Sequence, residues 1–352
     1  MCIRDSGKIW ATINDPADEI NYYRWQAKRI NLNNNGNPKD FLYVSPSNSV
    51  FDDKFFNGLD FDAFFYRGKS AFESFDVVQS GTCQMGFGSP YYWAGKSPSI
   101  SLLSGIPFGM NYQEMSSWFY NGDGIKFADE IYNQFNLKFF PAGNTGNQMG
   151  GWFNKKIISS SDFKGLKFRM PGLGGEVLKS FGTNVVLLPG PDVVPAISSG
   201  TIDGTEWIGP AADLGKGLHK VCKYYYYPGW HEPGTCLEAF INLKSWNQLD
   251  NDLKRLVETC CMKSNSAIAS EFFARNSFAM KRLNDEFKVN FVKYPKELLK
   301  SLRKRSVDVV NDYANKDSLG KRIHESIIDY RKIFMFWSNY SEKSFLESRI
   351  DL

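Results

Sequence analysis

The stretch from residue 148 to residue 238 constrains the fold of this chain more than any other. Three short strand-like runs, 166–170, 184–188 and 202–208, are each bounded by Gly or Pro, with helix-like patterns between them. Runs of this kind alternating with helices belong to a mainly parallel α/β sheet. In open sheets of that type, ligands bind beyond the carboxyl ends of the strands. Arg169 falls near the end of the first run, just before the Pro-Gly-x-Gly-Gly loop 171–175. A guanidinium beside a glycine-opened helix start suits a small carboxylate, which it can meet with two parallel charge-assisted hydrogen bonds. Glu206 and Trp207 fall in the third run.

Several function classes lack their signatures. The 42 basic and 38 acidic residues are well mixed, and no basic run reaches five residues, so no nucleic-acid stripe is present. No apolar run approaches the roughly 18 residues that a membrane helix needs. Gly172–Leu173–Gly174–Gly175 invites a dinucleotide loop, but the motif needs Gly or Ala at 177 and Val177 stands there. His219, His231 and His324 are scattered, without HExxH, and no GxSxG occurs. Cys2, Cys83, Cys222, Cys236, Cys260 and Cys261 form no CxxC pair, which argues against both a metal cluster and a disulfide framework.

What remains is oxygen-rich and anion-directed. Gln148 offers both a donor and an acceptor. Glu206 sits in an otherwise apolar run, where a carboxylate is either paired to Arg or bound to a cation. Glu238 lies in another strand-like run, TCLEAFIN, with Glu232 close by in the preceding loop. Tyr91–Tyr92–Trp93 follow the strand-like CQMGFG (83–88), which places an aromatic cluster at a strand's carboxyl end.

Elsewhere, strands are expected at 8–13, 61–66, 106–110, 137–143 and 289–295. Helices are expected at 17–30, 71–80, across MNYQEMSSWFY and GIKFADEIYNQF, from Trp246 to Phe287, and at 295–314. From Leu319 onward one long helix is expected, with Ile323, Ile327, Tyr330 and Phe334 at helical spacing.

Several long motifs resemble one family in the right order. They are FESFDVVQSGTCQMGFGSPYYWAGKSP (72–98), IPFGM (106–110), GLKFRMPGLGGEVL, LLPGPDVVPAISSGTIDGTEWIGP and YYYYPGWHEPG. Together they resemble the periplasmic substrate-binding subunits of tripartite ATP-independent (TRAP) transporters, in the subgroup for 2-oxo acids and related monocarboxylates. The resemblance covers roughly residues 61 to 350 and is weak before that. It implies an α/β, two-domain periplasmic-binding-protein-like fold with mixed sheets, a cleft between the domains and a long C-terminal helix packed across both. The segments expected are 1–135 for the first domain, 136–220 for the second, 221–318 for crossing segments and 319–352 for the terminal helix.

The same resemblance implies a receptor, not an enzyme, that closes over one small carboxylate and presents it to a membrane permease. Arg169 would hold the substrate carboxylate, Gln148 and a cation its 2-oxo or 2-hydroxy oxygen, and Tyr91, Tyr92 and Trp93 would wall the cleft. The cation would take oxygen ligands from Gln148, Glu206, the Trp207 backbone carbonyl and Glu238. Such a hard set suits sodium or calcium; resemblance leans to sodium and charge counting to calcium. A dimer that exchanges the terminal helix is implied too. A family member is exported, yet MCIRDSGKIWATIND has no charged start followed by an apolar stretch, so a signal segment upstream of residue 1 is expected. Two other readings stay open from the sequence: a receptor for dicarboxylates or sugar acids, and an α/β enzyme acting on a small carboxylate.

Overall fold

The structure, a computed structural model, describes residues 43–44 and 71–349. The strands expected at 8–13 and 61–66 and the helix at 17–30 lie outside those residues. The described strands are β1 (Tyr43–Val44), β2 (Met85–Gly88), β3 (Leu137–Asn144), β4 (Gly151–Phe153), β5 (Lys167–Arg169), β6 (Asn184–Val186), β7 (Gly204–Thr205), β8 (Tyr224–Tyr227), β9 (Cys236–Asn242) and β10 (Asn290–Lys293). They form two sheets, with orders β1-β2-β9-β3 and β10-β8-β4-β7-β5-β6.

Strand direction decides where the chemistry falls. In the six-stranded sheet, β5, β6 and β7 are parallel, as are β8 and β10, while β4 runs antiparallel to both β7 and β8. The carboxyl ends of β5, β7 and β8 therefore share one edge with the start of β4. In the four-stranded sheet, β2 and β3 both run antiparallel to β9. Their carboxyl ends share an edge with the start of β9. The chain passes between the sheets along 145–150 and 228–235, so these two edges face each other.

Each lobe has its own apolar core. Phe75, Trp118, Phe139 and Phe240 are buried in the first. In the second, Phe153 stacks on Phe168 at 4.6 Å, and Trp152 on Tyr225 at 3.8 Å. The helix Asn251–Asp285 packs on β3 of one lobe and on the helix Pro210–Lys216 of the other. Its start is fixed by Asp250, whose side chain accepts the Leu253 N–H at 2.8 Å, which separates it from the short helix Leu243–Asn247. The helix Lys296–Ala314 likewise touches the helix Gly172–Lys179 in the second lobe and residues 98–103 in the first.

Four expectations need correction. First, β3 pairs with β9 in the four-stranded sheet, so the chain enters the second lobe after Asn144 and not near residue 135. Second, 106–110 is no strand. Phe108 takes a left-handed φ of 55°, its N–H donates to the Trp230 carbonyl at 2.8 Å, and its ring stacks on Trp230. Third, the terminal helix is not continuous: Ser318–Tyr340 stops at Ser341 and a short helix Glu342–Ser348 follows. Fourth, that helix packs on first-lobe elements and on Lys296–Ala314, while bridging falls to the two helices before it.

Candidate ligand and cation site

The facing edges gather the polar groups. Arg169 ends β5 and Glu206 follows β7, and the β5–β7 pairing sets them side by side. Arg169 Nη1 donates to Glu206 Oε1 at 2.5 Å and to the Glu206 carbonyl at 3.2 Å. Its Nε donates to the Leu188 carbonyl beyond β6 at 3.4 Å. The guanidinium also lies 4.8 Å from the Trp207 ring centre. Arg169 and Glu206 are 2% and 1% exposed, so the pair is out of water and its geometry is fixed.

The crossing segment 228–235 brings in a second carboxylate. His231 Nε2 lies 2.9 Å from Glu206 Oε2. Burial holds His231 down at about 4, so the ring is neutral near pH 7. A neutral ring donating Nε2–H leaves Nδ1 as a bare lone pair, and Nδ1 is buried without a hydrogen-bond partner. Glu232 accepts from Gln148 Nε2 at 2.9 Å and from the Thr235 hydroxyl. Gln148 Nε2 is shared with Thr145 Oγ1 and Thr235 Oγ1, at 3.1 and 2.8 Å. Its Oε1 is buried and has no partner.

Two glycines permit this packing. A Cβ on Gly229 would lie 2.2 Å from the Gln148 carbonyl, and one on Gly174 would lie 2.6 Å from the His231 Cβ. Glycine at 174 thus serves the close approach of the His231 segment, not a pyrophosphate.

The electrostatics favour a positive guest. Ligand atoms of Glu206, His231 and Glu232 all lie within 4.8 Å of one another. Burial pushes Glu206 up to about 7 against the pull of Arg169. Burial and then the charge of Glu206 push Glu232 up to about 7 as well. Two buried carboxylates with one guanidinium leave negative charge uncompensated, a costly state in a site of low polarity. The partnerless Gln148 Oε1 supplies a neutral oxygen beside them. This donor set fits a hard cation.

The expected residues divide. Gln148, Arg169, Glu206 and Trp207 come together here. Tyr91 and Tyr92 lie within electrostatic range of Arg169, Glu206 and Glu232, and Tyr91 contacts the start of the helix Gly172–Lys179 across the cleft. Trp93 does not wall the cleft. It is 2% exposed, packs on Phe75 and Phe240 in the first core, and donates Nε1–H to Glu238 Oε1 at 2.5 Å. Glu238 is not at the cation cluster either. Its carboxyl also accepts from the Tyr132 hydroxyl, within the first lobe, and burial pushes it up to about 8. Glu232 takes the place expected for Glu238. His231, Thr145 and Thr235 were not singled out for the site. The signal for His231 and Glu232 was their position in the Pro/Gly loop just past the carboxyl end of the YYYY strand.

Two α/β lobes joined by crossing segments, with a buried Arg and an oxygen-lined cluster between them, define a solute-binding receptor. The sequence profile of the bacterial extracellular solute-binding proteins, family 7 (DctP), matches residues 68–317, and the chain belongs to that family. The family is one of transport receptors, not enzymes. The chain is 41% identical over 270 residues to a monocarboxylate 2-oxoacid-binding periplasmic protein of Nostoc sp., covering 77% of this chain and 74% of that protein. Two TRAP periplasmic solute-binding protein structures are similar, each with a TM-score of 0.77. One, from Pseudoalteromonas atlantica with bound sodium and pyruvate, is 36% identical over 79% of this chain and 84% of its own. The other, from Colwellia psychrerythraea with bound calcium and pyruvate, is 37% identical over 79% and 85%.

Proposed function

We propose that this TRAP receptor binds a small 2-oxo or 2-hydroxy monocarboxylate, such as pyruvate or lactate, together with a sodium or calcium ion, in the periplasm. The observation that carries the proposal is the buried cluster of Arg169, Glu206, His231 and Glu232 beside the partnerless Gln148 Oε1. Arg169 takes the substrate carboxylate on its planar edge. Gln148 Oε1, Glu206, Glu232 and the Trp207 carbonyl hold the cation, which neutralises the carboxylates and orients the substrate's second oxygen. Sodium is the preferred ion. Tyr91 and Tyr92 cover the ligand from the first lobe, and closure excludes water, which strengthens each charged contact.

The closed receptor delivers its ligand to the TRAP membrane permease. A dimer belongs to the proposal as well. The helix Ser318–Tyr340 buries Ile323 and Ile327 on its own chain but leaves Ile333, Phe336, Trp337 and Tyr340 mostly in solvent. Those four recur at helical spacing and form a seam that a second copy would cover.

A thermal-shift screen of small carboxylates, with and without sodium, tests the function. Pyruvate, lactate and 2-oxobutyrate should raise the melting temperature, and dicarboxylates and sugar acids should not. At a hundredfold excess over Kd the stabilisation should be about 2.7 kcal/mol. A response confined to dicarboxylates or sugar acids would refute the proposed ligand class.

A further inference from the structure

Beyond Arg169 a second cation reaches the site. Lys216 ends the helix Pro210–Lys216 and is half-buried. Its Nζ lies 4.0 Å from the Trp207 ring centre and donates to the Gly190 carbonyl at 3.2 Å. The Arg169 guanidinium lies over the same residue's ring, at 4.8 Å. Asp213, one turn earlier on the helix, is buried and already accepts from Trp152 Nε1, the Tyr225 hydroxyl and the Ile208 N–H.

A half-buried ammonium beside a buried guanidinium is electrostatically unfavourable unless the site gains from it. The gain is one of charge: Lys216 makes the site one unit less negative than Glu206, Glu232, Asp213 and Arg169 alone would leave it, with or without a bound monocarboxylate, and a monovalent ion needs less negative charge than a divalent one. A fixed positive charge also repels a divalent ion twice as strongly as a monovalent ion at the same position.

We infer that Lys216 is a specificity-determining residue that biases the cation site toward a monovalent ion over a divalent one. This rests on the cation site proposed above. It assigns to a side chain outside the proposed ligand set the choice between two ions that similar receptors hold.

The test is cation binding to chelator-stripped protein at pH 7 and constant ionic strength, without carboxylate. Sodium and calcium are each titrated into wild type, Lys216→Met and Lys216→Arg, with binding read by calorimetry and by melting temperature. Lys216→Met should tighten sodium about threefold and calcium about tenfold, the square of the same charge effect. Lys216→Arg should keep the wild-type ratio. An unchanged ratio in Lys216→Met, or an equal shift in Lys216→Arg, overturns the inference while leaving the cation site standing. If wild type binds neither ion, the site and the inference fall together.

Discussion

Replacing Arg169 by Lys separates charge from shape. The ammonium keeps the positive charge but cannot make the planar two-point contact. Pyruvate affinity should fall by about 1.5–3 kcal/mol in calorimetry, the worth of a hydrogen bond to a charged group. Unchanged affinity would remove Arg169 from the ligand. A paired test separates the two glutamates: Glu232→Gln should abolish the dependence of ligand binding on sodium, whereas Glu238→Gln should leave ligand affinity within about twofold. The reverse outcome would return Glu238 to the site. Sequence reasoning singled out Arg169 and Glu206 from strand-like runs that local pattern supplies, whereas the role of Gln148 came only from the family resemblance. It could not choose between Glu232 and Glu238. The donors that hold Glu238 in the first core, Trp93 and Tyr132, lie 145 and 106 residues away along the chain. Only the pairing of β2, β3 and β9 brings them together.

At the scale of elements, the short strands β5, β6 and β7 were legible because glycine and proline bound each one. The lobe to which β3 belongs was not legible, since its pairing with β9 spans nearly a hundred residues of chain. The run 106–110 was misleading for a different reason. Its apolar character serves packing between lobes, where Phe108 meets Trp230, and the left-handed Phe108 ends any strand there. The amphipathic pattern of the terminal helix was readable, but not which part of it would find a partner. In its first half Ile323 and Ile327 are buried on this chain, while in its second half Ile333, Phe336, Trp337 and Tyr340 are exposed. Light scattering of the Phe336→Glu, Trp337→Glu double variant should therefore show a shift from dimer to monomer, with ligand affinity retained. A wild-type protein that is already monomeric at high concentration would contradict the proposed role of this seam.

For the whole molecule, the two lobes meet over two buried carboxylates, Glu206 and Glu232, and stability should report this. Glu206 and Glu232 titrate at about 7 in the folded chain, against roughly 4.3 when unfolded. The folded state holds those protons longer, so their stabilising effect is present at low pH and is lost as pH rises through about 7. His231 has the opposite sign. Its folded value of about 4 lies below the unfolded one, and its contribution is complete by about pH 6.5. Lys216, at about 8, opposes the carboxylates mainly above pH 7.5. Between pH 6.5 and 7.5 the carboxylates therefore dominate. Glu238, at about 8, adds a fall of the same sign. In chelator, stability should therefore fall there by about 2 kcal/mol per pH unit, and added sodium or calcium should remove the share of Glu206 and Glu232, about half of it. A fall that neither ion reduces would contradict a cation at that pair. The most direct test of the central claim is calorimetry with pyruvate on protein dialysed exhaustively against chelator in potassium buffer, repeated after sodium or calcium is restored. Binding should be lost in the stripped protein and return with either ion at one pyruvate per chain. Full affinity in stripped protein, with no metal by elemental analysis, would contradict it.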